Sequence, residues 1–90
     1  MNEKFFLTVI GRNEMGVIAD ISSILLSWRV SIADISQKII ESNFVLFMVL
    51  EAPVGLNIQD LQKQIEDGCS HHQMKVMLAH ENLFNSMHRI

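Results

Sequence analysis

Between Lys4 and Ile10, five of seven residues are large and apolar, two of them aromatic, and Gly11 follows directly. An apolar run of this length, closed by glycine, predicts a buried strand. Residues 11–16 read as a loop. Val17, Ile18, Ile21, Ile24, Leu25 and Trp28 then recur at helical spacing, with Asp20, Ser22, Ser23 and Ser27 on the opposite side. Asp20 falls in the first turn, where a carboxylate suits the helix dipole, and the helix is expected to end near Arg29. In Ser31–Ile40, Ile32, Ile35 and Ile39 are three and four apart, which is also a helical spacing, but the stretch is short, rich in isoleucine and follows a helix that has just ended, so a strand is expected. Ile32 and Ile35 cannot share a face of a regular strand, so the spacing predicts a strand with an irregularity between them.

A turn is expected at Glu41, Ser42 and Asn43, making the next run the return arm of an antiparallel hairpin. That run, Phe44–Ala52, is apolar on both alternations and predicts a strand covered on both faces. Pro53 and Gly55 break the pattern. Asn57 is the expected cap of a second helix, with Asp60 in its first turn. Ile58, Leu61 and Ile65 form its apolar stripe, Gln59, Gln62, Lys63, Gln64, Glu66 and Asp67 face water, and Gly68 is the expected terminator. Met74–His80 alternates as a fourth strand with Met74, Val76 and Leu78 on one face, and Leu83, Phe84 and Met87 suggest a short amphipathic C-terminal turn.

The order is strand, helix, strand, strand, helix, strand. Right-handed crossovers and a single core lead to an α+β fold, the ferredoxin-like βαββαβ sandwich, with a four-stranded antiparallel sheet and two helices on one face. Ninety residues make one domain, 1–90. The apolar fraction of 49% is high for a domain of this size, and one sheet face lies outside the helix layer, so self-association, most simply a homodimer, is expected.

Charge narrows the partners. The formal net charge is −3, and Lys4, Arg12, Arg29, Lys38, Lys63, Lys75 and Arg89 are scattered, so no nucleic acid is expected. The apolar runs are too short to span a bilayer, so no membrane partner is expected. The single cysteine, Cys69, forms no disulfide framework, and the first residues do not follow signal-peptide order; a cytoplasmic location is the expectation.

The chemistry concentrates in GRNEMGVIADIS, residues 11–22. Gly11 and Gly16 match the glycines of a phosphate-binding loop, but Val17 and Ile18 stand where lysine and a hydroxyl residue are needed, and Glu14 and Asp20 repel phosphate. No G-x-G-x-x-G is present either. A carboxylate fits better, because unpaired N–H groups at a helix start bind anions, Gly16 permits close approach, and Asn13 both donates and accepts. On spacing alone, an ordinary glycine turn with a solvated Asn13 remains the simpler reading.

GRNEMGVIADIS continued through SIADIS resembles the opening of an ACT domain, and the whole chain, ending in LFNSMHRI, is similar to small single-ACT proteins related to glycine cleavage system regulators. The resemblance implies the βαββαβ order and amino-acid binding, often at subunit interfaces, in metabolic regulation. Gly16 matches the family's turn glycine, Val17 to Ile21 match the apolar helix start, and Asn13 falls where many members place Asp or Asn. Met15 stands where proline is common, Arg29 near a usual glycine, and Ser31 where many members have a ligand-binding Asn. The implied ligand site is Asn13, Glu14, Gly16 and the backbone at Val17, with Ser31 next.

Other constellations are weaker. Cys69, His71, His72 and His80 match no zinc spacing and read as a solvated loop, so no metal is expected. A histidine near Cys69 suggests a nucleophile, but no oxyanion or orienting group accompanies it, so no catalysis and no cofactor are expected. Met48, Met74 and Met77 read as core, as do Phe5, Phe44, Phe47 and Trp28. The expected function is thus a regulatory, amino-acid-binding homodimer acting on a further protein partner; the alternative is a dimerisation and docking module without a ligand.

Overall fold

A computed structural model describes residues 2–12, 16–69 and 74–81. The elements are β1 (Asn2–Arg12), α1 (Val17–Ser27), β2 (Ser31–Ile40), β3 (Asn43–Pro53), α2 (Ile58–Gly68) and β4 (Met74–His80). The sheet order is β2-β3-β1-β4, with every neighbouring pair antiparallel. This is the expected ferredoxin-like sandwich. The C-terminal turn assigned to Leu83, Phe84 and Met87 lies outside the described residues.

Alternation along the two central strands builds the core. Phe5, Leu7 and Val9 of β1 and Phe44, Leu46, Met48, Leu50 and Ala52 of β3 are buried, with Val17, Ile21 and Leu25 of α1 and Leu61 and Ile65 of α2 in the same cluster. The intervening Phe6, Thr8, Val45, Phe47 and Val49 point away from the helices and are half-buried. On that outer face the rings of Phe6 and Phe47 stack with centroids 5.6 Å apart. Phe47 is therefore not part of the helix-side core, and neither is Met77, which is exposed on β4.

The expected irregularity in β2 is present. The β2–β3 register shifts between Ile32 and Asp34, so Ile32 lies opposite Leu50, Ile35 opposite Met48 and Ile39 opposite Phe44. The one extra residue turns all three isoleucines to the helix side. The hairpin is tighter than its sequence suggests. Asn43 already pairs with Ile40, leaving only Glu41 and Ser42 in the turn. Glu41 takes φ 57°, the left-handed value that matches a two-residue loop to strand twist.

Both helix ends have local causes. Asn57 caps α2, its side chain accepting from the N–H groups of Gln59 at 3.1 Å and Asp60 at 3.2 Å. Gly68 is the last residue of α2 and not a residue beyond it; a Cβ there would lie 2.5 Å from Cδ1 of Ile24, so this glycine lets α1 and α2 approach. At the end of α1, the N–H of Val30 donates to Leu25 O at 2.9 Å and that of Arg29 to Leu26 O at 3.0 Å. This is the Schellman pattern, with buried Val30 and Leu25 as its apolar contact. The left-handed residue it needs is Arg29, at φ 58°, where glycine is free of the Cβ penalty. Arg29→Gly is expected to stabilise the domain by about 0.5–1 kcal/mol, the left-handed penalty less the added unfolded-chain entropy, read as a higher midpoint in chemical denaturation.

Candidate functional site

Of the five residues expected to form a site, three are described. Asn13 and Glu14 lie outside the described residues. Gly16 precedes α1 with φ 91° and ψ −5°, a left-handed conformation that glycine adopts without strain. Its carbonyl accepts from the N–H of Asp20 at 2.9 Å, closing the first turn. A Cβ built on Gly16 meets nothing within 4 Å among the described residues, so the glycine serves the backbone angle. Among the described residues, no side chain caps this end of α1. N–H groups at a helix start suit an anionic group.

Val17 is buried against the core, so only its backbone can face a ligand. Gly11 and Arg12, expected in the loop, continue β1 and pair with Phe44 and Asn43. The two glycines that suggested a phosphate loop therefore sit in different elements.

Ser31 is exposed at the start of β2, opposite Glu51, whose other neighbour is Lys4. At the far end of the sheet, Ile40, Asn43 and Arg12 share a row, and from Arg12 the chain leads toward Gly16. Lys4 and Arg12 are eight positions apart on β1. At about 3.3 Å per residue this is roughly 26 Å. Within one chain, Ser31 and the start of the Gly16 turn thus lie at opposite ends of the sheet. Sequence reasoning missed this separation, because it follows from strand order and direction.

Cys69 is not in a solvated loop. It is buried at the C-terminal end of α2, and burial first, then the charge of Asp20, pushes its thiol pKa up. A protonated, buried thiol is a poor nucleophile and a poor ligand. His71 and His72 lie outside the described residues. His80 ends β4, 3.6 Å from the Glu3 carboxylate and edge-on to the Phe5 ring. Among the described residues, no group of three or more His, Cys, Asp or Glu side chains is placed to hold a metal. No helix among them is long and apolar enough to cross a membrane.

Two features were not legible in the sequence. A groove of about 570 Å³ runs between the helices, lined by Ile24, Trp28, Asp60, Lys63, Gln64, Asp67 and Gly68. Across it the Trp28 indole N–H donates to Gln64 Oε1 at 3.0 Å. Gln62, read as water-facing, is half-buried and accepts the backbone N–H of Leu78 at 3.1 Å. That contact spans sixteen residues and has no local signature.

Comparison with known proteins agrees with this architecture. The family model for the ACT domain matches residues 3–79. A UPF0237 protein of Methanosarcina mazei is 33% identical over 90 residues, covering 99% of this chain and 98% of its own. An ACT domain protein from Streptococcus pneumoniae superposes with a TM-score of 0.80 at 22% identity, over 91% of this chain and 93% of its own. A putative glycine cleavage system transcriptional repressor superposes with a TM-score of 0.76 at 15% identity, over 89% of this chain and 45% of its own. At those identities the two structures speak to the fold alone.

Gly16→Ala is expected to cost about 1 kcal/mol from the left-handed backbone, with no steric clash, read as a midpoint lower by about 4–8 °C. Because the Cys69 pKa is raised in the folded state, its contribution is complete below the ordinary thiol pKa, about 8.5, and is lost as pH rises above it. Denaturation at increasing alkaline pH is expected to show that loss in the wild type and a flatter limb in Cys69→Ala.

Proposed function

This chain belongs to the ACT-domain family, and on that premise we propose that it is a regulatory module that binds an amino acid as a homodimer in metabolic control. ACT domains are regulatory ligand-binding modules. What supports the reading is the start of α1, where, among the described residues, no side chain caps the first-turn N–H groups and no atom lies within 4 Å of a Cβ built on Gly16. Those groups suit a carboxylate. Asn13 and Glu14, the residues before this turn, supply an amide and a carboxylate, which suit the two ends of a zwitterion. Ser31 adds a hydroxyl, and its position calls for two chains. Since it lies about 26 Å along the sheet from the turn end, it meets the same ligand only when a second copy brings it. A ligand held between two chains stabilises the pair by mass action, and that coupling is the means of signalling to a regulated protein. A catalytic role finds no nucleophile in the buried, protonated Cys69.

A second reading, dimerisation and docking without a ligand, draws on the exposed Ser31, whose hydroxyl is short in reach where the resemblance to the family implies a longer amide side chain. The two readings separate in a thermal-shift panel of the twenty amino acids at millimolar concentration. A ligand at a hundred times its Kd is expected to stabilise the fold by about 2.7 kcal/mol. Asn13→Ala is expected to weaken binding about ten- to a hundredfold, the loss of a hydrogen bond to a charged group. No shift with any amino acid would leave the docking module as the function.

A further inference from the structure

The basic residues are scattered along the chain, but the strand register collects them. Side chains alternate across the pleat, and the buried residues of β1 and β3 mark the helix side. By that alternation Lys4, Arg12, Lys38 and Lys75 lie on the outer face of the sheet, with Asp34 and Glu51. The helix side has the reverse balance, with Glu3, Asp20, Asp60, Glu66 and Asp67 against Arg29 and Lys63. Among its described residues, a chain of formal net charge −3 therefore has a cationic face and an anionic one.

Three of the outward cations gather at one end. Lys38 of β2, Val45 of β3, Ile10 of β1 and Lys75 of β4 form one row across the sheet. Arg12 stands two residues beyond Ile10, in the row of Asn43 and Ile40. Strand spacing puts Lys38 and Lys75 about 14 Å apart, with Arg12 about 7 Å further along β1. Between them Ile10 is 47% and Ile40 54% accessible, an apolar floor inside a ring of charge. Arg12, Lys38 and Lys75 are exposed, and among the described residues none of them pairs with a carboxylate. Asp34 lies four residues from Lys38 along β2, about 13 Å away. Glu41 lies past Ile40, in the hairpin turn.

We propose that this end of the outer face is a docking surface for an acidic segment of a partner protein. Arg12, Lys38 and Lys75 take its carboxylates, and Ile10 and Ile40 seat an apolar side chain between them. The proposal deepens the functional reading by giving the regulated protein a point of attachment, and it rests on that reading only for the existence of such a partner. Charge complementarity selects the occupant, and an apolar centre with a charged rim is the usual anatomy of a protein interface. About four residues of extended chain span the distance from Lys38 to Lys75. A short acidic segment lies within a Debye length, about 8 Å at physiological salt, of these cations. A nucleic-acid strand continuing along the face would run onto Asp34 and Glu51, and its length would meet the net negative charge of the whole chain.

NMR on the isotopically labelled full chain tests the surface with a synthetic hexapeptide of four glutamates and two leucines. At millimolar peptide, the backbone signals of Ile10, Arg12, Lys38, Val45 and Lys75 are expected to shift while those of α2 stay in place, and high salt is expected to reverse the shifts. Arg12→Glu and Lys75→Glu are each expected to weaken binding at least about tenfold. Lys4→Glu, the same charge change about 26 Å along β1 from Arg12, is expected to leave it unchanged. Circular dichroism checks that each variant folds. A peptide with glutamine in place of glutamate is expected not to bind. Equal binding of the two peptides, shifts confined to α2, or an oligothymidylate that binds more tightly than the acidic peptide overturns the proposal. A wild-type oligomer that Lys75→Glu dissociates in sedimentation assigns the face to a second copy and also overturns it. Absence of peptide binding beside a thermal shift with an amino acid overturns the docking surface and leaves the ligand reading. Peptide binding by a chain that no amino acid stabilises supports the surface and removes the ligand.

Discussion

The pairing of β1 with β3 is the constraint on which everything else depends. It runs unbroken from Asn2 opposite Pro53 to Arg12 opposite Asn43. Side chains alternate across a pleated sheet, so this one register decides which residues of both strands meet the helices. Leu7, Val9, Leu46, Met48 and Leu50 are fully buried because they share that face, and α1 and α2 close over them. A slip of one residue would turn the same side chains outward. The two edge strands then hang from this pair: β4 on β1, and β2 on β3.

The same pairing fixes where chemistry can meet. β1 and β2 run parallel to each other with β3 between them, so the end of one is far from the start of the other. The turn at Gly16 and the hydroxyl of Ser31 therefore occupy opposite ends of the sheet, although they are only fifteen positions apart in the chain. A ligand that uses both must see two chains.

Among the described non-glycine residues, left-handed backbone is confined to turns. Arg29 and Glu41 are the non-glycine residues with positive φ among those described, and they bracket β2. One lies in the Schellman turn out of α1 and the other in the hairpin into β3. Together with the register shift after Ile32, they set the position and twist of the exposed edge strand. The β4 edge is handled in another way, by a glutamine from α2. The molecule thus has one edge that its own helix layer partly satisfies and one that it leaves open.

The order of elements was legible from the chain because it rests on local periodicity. The apolar runs of β1 and β3, the helical spacing from Val17 to Trp28, the Asn57 cap and the irregularity between Ile32 and Ile35 all leave their marks within a few residues. Gly16 was legible as a turn glycine for the same reason, and its left-handed angle came from the structure. Burial that depends on distant partners was not. Cys69 looks like part of a polar loop, yet it is covered by the core; Gln62 looks like a surface residue, yet it serves the backbone of β4; Gly68 reads as a helix stop, yet it makes room for Ile24. The sequence by itself determined the elements and the chemical types available at the first turn. Only the tertiary structure decided that Ser31 stands at the other end of the sheet and that β2 is an open edge, because strand order and direction come from long-range pairing, which no short window of sequence encodes.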